Sequence, residues 1–312
     1  MASFNAPHSR LDNSAYSGRL AKKYADPPQK IPTPSYLMES PEETVRLEMK
    51  TDPEVVRQQA KWCGVKPGLR VLDVGCGPGK TSSILYEMIM PGGELVGLDF
   101  SEERIYRARQ QYGGKPGLQF LVSDYTAPLD GLGNFDLIWA RFVLEHNLLE
   151  SPAIVENLTA CLRPGGYLCL LDLDHNCLNH YGLPPAMERV LFQIMAVLED
   201  KYNFDPYAGR KLYAYLYDLG YREIQVDLMA HHLIYGKTSE VDVFNWTKKT
   251  EIVLRKAPGI FDSYQGGQAG FFSDFIQFFN DSRRFTYTPL ILCKGKKPHS
   301  IQPLKSYTRK GN

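Results

Sequence analysis

The stretch Val71-Leu-Asp-Val-Gly-Cys-Gly-Pro-Gly79 constrains this chain more than any other. An apolar run ends in an acid and passes straight into three glycines spaced G-x-G-x-G. A strand that leads through a glycine turn into a helix brings bare backbone to the C-terminal edge of a parallel sheet, where ligands of open α/β folds bind. Glycine suits such a turn because it accepts positive φ and lets a ligand touch the main chain with no Cβ between them. Two familiar ligand signatures are broken here. A dinucleotide fingerprint needs G-x-G-x-x-G, and its last position is Lys80. A phosphate loop needs G-x-x-x-x-G-K-[ST]; Gly79-Lys80-Thr81 supplies its second half, but Val74 stands at its first glycine. An ordinary strand-turn-helix with no ligand is the remaining alternative, and the segments downstream speak against it.

Those segments follow in order. Glu94–Leu98 reads as a second strand and ends in Asp99-Phe100-Ser101. Asp99 lies about 20 residues past the glycines, the place for a carboxylate that accepts from ribose hydroxyls. Leu118–Val122 reads as a third strand closing on Ser123-Asp124-Tyr125, and Phe135–Ala140 as a fourth, followed by Arg141–His146. Leu162-Arg-Pro-Gly-Gly166 makes a turn before a fifth strand, Tyr167–Leu173. The glycine segment closely resembles the S-adenosylmethionine loop of class I methyltransferases. The Arg-Pro-Gly-Gly turn is also typical of that family, and the likeness covers roughly residues 63–236. Asp99 by its spacing alone does not separate NAD from S-adenosylmethionine.

The resemblance implies an α/β, Rossmann-like sheet of seven mostly parallel strands with an antiparallel last strand and helices on both faces. It also implies an N-terminal helical lid. In this reading residues 1–62 are an arm and lid, 63–297 the core, and 298–312 a tail without fixed structure. The region 174–223 is longer than one crossover needs and holds the apolar helical pattern Pro185–Lys201, read as a substrate-covering insertion at about 176–208. The crossover helix is expected over Gly209–Leu219, strand six over Ile224–Tyr235, two further helices over Ser239–Arg255 and Gly267–Asn280, and a last strand over Phe285–Lys294. Helix starts are expected at Ser40, where Pro and a capping-box Glu43 follow, and at Asp52-Pro53. The second of these has Val55, Val56, Ala60 and Trp62 as a partial apolar face.

By the same resemblance the cofactor is S-adenosylmethionine. Its contacts are Asp73, Gly75, Cys76, Gly77 and Gly79 from the loop, Asp99 and Phe100 after strand two, Asp124 and Tyr125 after strand three, and Arg141 after strand four. Asp124 would meet the adenine amino group. Asp73 would accept from the cofactor's amino group, or else order the loop. Arg141 would meet the cofactor, or else pair with Glu145 one turn on. His146 and His175 are the candidate bases for an oxygen acceptor, since histidine titrates near neutral pH; each also reads as a packed or solvated residue. Asp172 and Asp174 end strand five, where they would contact substrate or cap a loop. Tyr202, Phe204, Tyr207, Tyr213, Tyr215 and Tyr217 would line an apolar pocket or simply fill a core.

Composition bounds the partners. Lys and Arg number 36 against 35 Asp and Glu, so the net charge of +1 gives no bulk attraction for nucleic acid. No run of about 18 apolar residues would span a membrane, and the start of the chain has no apolar signal segment, so a cytoplasmic protein is expected. The six cysteines form no C-x-x-C pair, which favours free thiols over zinc. His231 and His232, adjacent in a strand, are expected to face opposite sides; no metal site is expected. The reading is a methyltransferase for a nitrogen, oxygen or carbon atom of a small molecule, monomeric or homodimeric. The alternatives are an RNA or protein methyltransferase, a non-catalytic S-adenosylmethionine-binding subunit, and an NAD-dependent oxidoreductase.

Overall fold

The computed structural model describes residues 51–299. The helix start expected at Ser40, most of the arm and the tail from 300 lie outside the described residues. The first helix is α1 (Pro53–Cys63). The Asp52 side chain accepts from the Glu54 N–H at 2.8 Å and Pro53 takes the first turn, as the sequence predicts; Gly64, at φ 93°, ends it. Its buried face is Val56, Gln59, Ala60 and Cys63, spaced as one helical stripe. Val55, expected inside, is exposed.

The α/β alternation then runs β1 (Arg70–Val74), α2 (Lys80–Ile89), β2 (Glu94–Asp99), α3 (Glu102–Tyr112), β3 (Leu118–Val122), β4 (Phe135–Arg141), α4 (Ser151–Cys161) and β5 (Leu162–Leu173). It continues with β6 (His180–Tyr181), α5 (Pro185–Tyr202), α6 (Leu212–Asp218), β7 (Arg222–Tyr235), α7 (Glu240–Lys256), α8 (Gly267–Asn280) and β8 (Phe285–Lys296). One sheet forms in the order β3-β2-β1-β4-β5-β8, with β6 and β7 also paired to β8. β1 to β5 are parallel, while β8 is antiparallel to β5, β6 and β7. The strand order reverses between β1 and β4, with β2 and β3 laid to one side of β1 and β4 and β5 to the other, so the C-terminal ends of β1 and β4 open a crevice there.

The sheet differs from the sequence expectation in three places. It has an eighth strand, the two-residue β6. The fifth strand begins at Leu162, not Tyr167: Leu162 pairs with Phe135 and Tyr167 with Leu137, so the Arg-Pro-Gly-Gly segment bulges out of a continuous ladder. The third concerns β7. Its register shifts between Ala230 and His232, and this bulge brings the His231 and His232 rings to 4.3 Å instead of setting them on opposite faces.

Each sheet face carries an apolar cluster. Ala60, Leu85, Ile105 and Ala108 from α1, α2 and α3 cover one face, and Ile154, Leu158, Leu212 and Leu216 from α4 and α6 cover the other. A third cluster lies apart from both. Met187, Val190, Leu191, Ile194, Met195 and Leu198 of α5 pack with Trp246 of α7 and with Phe271, Phe275 and Phe279 of α8. The insertion is therefore half of a helical unit that the C-terminal helices complete. A polar staple ties this unit to the sheet: Arg284, 2% exposed, donates to the carbonyls of Phe279, Ile234 and Gly236 and to the Thr238 hydroxyl.

Candidate active site

The glycine loop sits at the C-terminal end of β1. Gly75 and Gly77 hold φ of 67° and 56°, the left-handed region. Their surroundings differ. A Cβ on Gly75 would stand 2.8 Å from Val143 Cγ2, whereas one on Gly77 would meet no atom within 4 Å. Gly75 is thus glycine for packing, and Gly77 faces open space.

Asp99 fastens the loop. Its carboxylate is 1% exposed and accepts from the Gly77 N–H at 2.9 Å and the Ser101 N–H at 3.0 Å. The Cys76 N–H adds a 2.8 Å bond to the Leu98 carbonyl, tying β1 to β2. The Cys76 thiol turns inward, and burial pushes its pKa well above the usual thiol range. Asp73 is also buried and accepts from the Ser82 hydroxyl at 2.6 Å, which secures the first turn of α2. Burial pushes its carboxyl up to about 7, against the opposing pull of Ser82 and Arg141. Its loop-ordering role is therefore visible in the structure. After β2, Phe100 meets the buried Tyr125 edge-on at 6.4 Å between ring centroids. Asp124 is exposed, and its Oδ1 accepts from the Thr126 N–H and hydroxyl at 2.9 and 2.6 Å.

At the end of β4, Arg141 is half-buried and stacks on Phe142 at 4.1 Å. Its Nε donates to Gln59 Oε1 at 3.0 Å, so α1 reaches the ligand edge. Burial lowers the guanidinium to about 10, opposed by the nearby carboxylates Asp73, Asp172 and Glu145. Glu145 does not close on Arg141 as the helical spacing suggested. It accepts from Asn176 Nδ2 at 2.9 Å and lies 3.5 Å from His146 Nε2. The physical reason is the fold of the segment: Leu144–His146 is a single 3₁₀ turn, not an α-helix, so the expected one-turn neighbour is not above Arg141. Asp172, 1% exposed, caps this turn by accepting from the Leu144 and Glu145 N–H groups at 2.8 and 3.2 Å. Burial and the adjacent Glu145 raise its carboxyl well above the usual range.

His175 takes φ 49° just after β5, with its ring 5.1 Å from Tyr207. Partial burial, then Arg210, lowers its pKa. Asp174 is not a free substrate contact; it holds Arg210 through two bonds of 2.8 and 3.0 Å. The Glu145–Asn176 bond joins the loops that carry His146 and His175. Of the aromatic group, Phe204 packs inside, 5.5 Å from His146, while Tyr213 and Tyr217 stack on each other on the outer surface. Sequence reasoning missed Gln59; of the two readings of Asp172, the cap is the one its bonds to the Leu144 and Glu145 N–H groups show. Gln59 had a signal: a lone polar residue inside an apolar helical stripe. Among the described residues no group of three or more His, Cys, Asp or Glu could hold a metal, and all six cysteines are free thiols.

A parallel sheet with an antiparallel strand inserted beside β5, and a carboxylate-clamped glycine loop at its switch point, define the class I methyltransferase fold. Residues 65–218 match the family model described as a methyltransferase domain. The demethylmenaquinone methyltransferase of Lactococcus lactis is 30% identical over 123 residues, covering 39% of this chain and 48% of that protein. An uncharacterized methyltransferase of Schizosaccharomyces pombe is 30% identical over 166 residues, covering 50% and 58%. These matches span about half of each relative's length. The structure of phosphoethanolamine N-methyltransferase 2 of Haemonchus contortus, in complex with phosphomonomethylethanolamine and S-adenosylhomocysteine, superposes with a TM-score of 0.52. It is 16% identical and covers 82% of this chain and 57% of that one, a likeness of fold.

Proposed function

We propose that this protein is an S-adenosylmethionine-dependent methyltransferase acting on a small molecule. The observation that carries the reading is the Gly77–Asp99 clamp beside an unobstructed Gly77 face. It presents bare backbone and a buried carboxylate at the C-terminal edge of the sheet, where ligands of open α/β folds bind. The demethylmenaquinone methyltransferase of Lactococcus lactis, by its name an enzyme acting on a quinone, supports a small acceptor.

The cofactor supplies an electrophilic methyl group on a positively charged sulfur. The protein's task is then to bind, align and exclude water, and proximity and orientation carry most of the rate. The Asp99 carboxylate, at the end of β2, would accept from the ribose hydroxyls. The exposed Asp124 takes the adenine amino group, with Phe100 and Tyr125 beside the base. Asp73 would accept from the cofactor's amino group, and Arg141 would hold the cofactor's carboxylate. For an oxygen acceptor His146 is the better placed base, because Glu145 lies 3.5 Å from its Nε2 and stabilises the protonated ring. His175, flanked by Arg210, gains a proton less readily.

Titration calorimetry tests this reading. S-adenosylmethionine and S-adenosylhomocysteine should bind, and NAD and ATP should not. ATP binding without S-adenosylmethionine binding would overturn it. Competition of tRNA with a methylated small molecule would move the acceptor assignment to nucleic acid.

A further inference from the structure

Among the described residues, an apolar face at the far edge of the sheet is left without a covering element. The register places Tyr181, Phe285 and Tyr235 side by side across β6, β8 and β7, and Leu233 opposite Tyr287 on the next outward row. Residues paired directly across neighbouring strands point to the same side of a sheet. The β7 bulge adds one residue to the count, so Leu228 falls on the side of Leu233. The alternate row, His180, Thr286 and Ile234, points the other way and is covered by the helical unit, where His180 meets Trp246 at 5.4 Å. On the bare side the exposures are 72% for Tyr181, 66% for Tyr235, 64% for Leu228, 54% for Leu233, 43% for Tyr287 and 42% for Phe285.

At about 150–250 Å² for each fully exposed aromatic side chain, these six present roughly 600–700 Å² of side-chain surface. The largest apolar patch of a monomer is usually a few hundred Å². A stable interface of ordinary size buries about 800 Å² from each partner. The patch is aromatic and aliphatic with no charge at its centre, while the Arg283–Asp281 pair stands close by in sequence, before Phe285. That is the composition of an interface core with a polar rim.

We propose that this face is the interface of a homodimer, packed sheet against sheet about a two-fold axis. A second copy fits the area and the chemistry. An apolar face without charge at its centre can pair with its own copy, as a two-fold contact requires. The chain's net charge of +1 sets up little repulsion between copies. Two such faces stack about 10 Å apart with interleaved side chains, which withdraws all six residues of each copy from water.

Sedimentation equilibrium of the full chain at micromolar concentration tests the proposal. The expected mass is twice the chain mass of 35.4 kDa. Leu233→Glu with Tyr235→Glu should shift the equilibrium at least a hundredfold toward monomer, with the circular dichroism spectrum and S-adenosylhomocysteine binding kept. Leu228→Lys provides a second, milder break. Phe192→Glu, on the exposed side of α5, should leave the mass unchanged. A wild-type monomer overturns the proposal, as does a dimer that survives the Leu233 and Tyr235 changes. A wild-type monomer that pellets with phosphatidylcholine vesicles would overturn it in favour of a lipid surface.

Discussion

Two buried carboxylates flank the glycine loop, and they behave differently. Asp99 is committed to the loop through the Gly77 and Ser101 N–H groups. Asp99→Asn keeps its shape and removes its charge; each charged hydrogen bond to a ribose hydroxyl is worth about 1.5–3 kcal/mol. S-adenosylmethionine affinity should fall at least about tenfold, equivalent to about 1.4 kcal/mol, in a protein that still unfolds cooperatively. Unchanged affinity by calorimetry would remove Asp99 from the cofactor site. Asp73 is held near 7 in the ligand-free fold, above its ordinary 3.8. The fold keeps this proton where the unfolded chain has released it. Its stabilising contribution is therefore complete below 3.8 and lost as pH rises to about 7, at up to about 1.4 kcal/mol per pH unit. A bound ammonium or sulfonium would pull this pKa down. Binding near pH 6.5 should then release a proton, seen as a dependence of calorimetric enthalpy on buffer ionisation, and Asp73→Asn should abolish it. A buffer-independent enthalpy would mean that Asp73 does not face the cofactor's charge.

Among the elements, the β1 loop separates two uses of glycine that sequence spacing cannot tell apart. Gly75→Ala combines a left-handed alanine, costing about 1–2 kcal/mol, with a methyl 2.8 Å from Val143. It should lower the melting temperature markedly. Gly77→Ala bears only the backbone cost, because its methyl enters open space. Its loss should appear in cofactor affinity out of proportion to stability. If Gly77→Ala binds S-adenosylhomocysteine as the wild type does, the loop is turned away from the ligand. The strands and helices of the core were legible because their apolar periods and end signals agree: Asp52-Pro53 opens α1, and Glu102–Tyr112 is a helix closed by glycine. The irregular joints were not. The β5 bulge, the 3₁₀ turn after β4 and the β7 bulge depend on pairing with segments distant in sequence, and no local residue pattern encodes them.

Across the whole molecule, three apolar clusters divide the work, two clasping the sheet and one joining α5 to α7 and α8. The six buried apolar residues of α5 find their partners in Phe271, Phe275, Phe279 and Trp246. Hydrogen exchange should therefore show Pro185–Tyr202, Glu240–Lys256 and Gly267–Asn280 opening together, at lower free energy than β1, β4 and β5. If α5 exchanges as slowly as the central strands while α7 and α8 open alone, the helices are not one unit and cannot act as a shared cover for the acceptor. The amino-acid sequence by itself determined the α/β order, the glycine loop, the carboxylate at Asp99 and the methyltransferase resemblance, since each follows from local spacing and turn chemistry. Only the tertiary structure decided that α5 belongs with the C-terminal helices, that Gln59 reaches Arg141, that Glu145 turns to Asn176, and that one sheet face is left bare. Those outcomes rest on which buried surfaces and polar groups find one another across long stretches of chain, and such pairing is settled by the energy of the assembled fold.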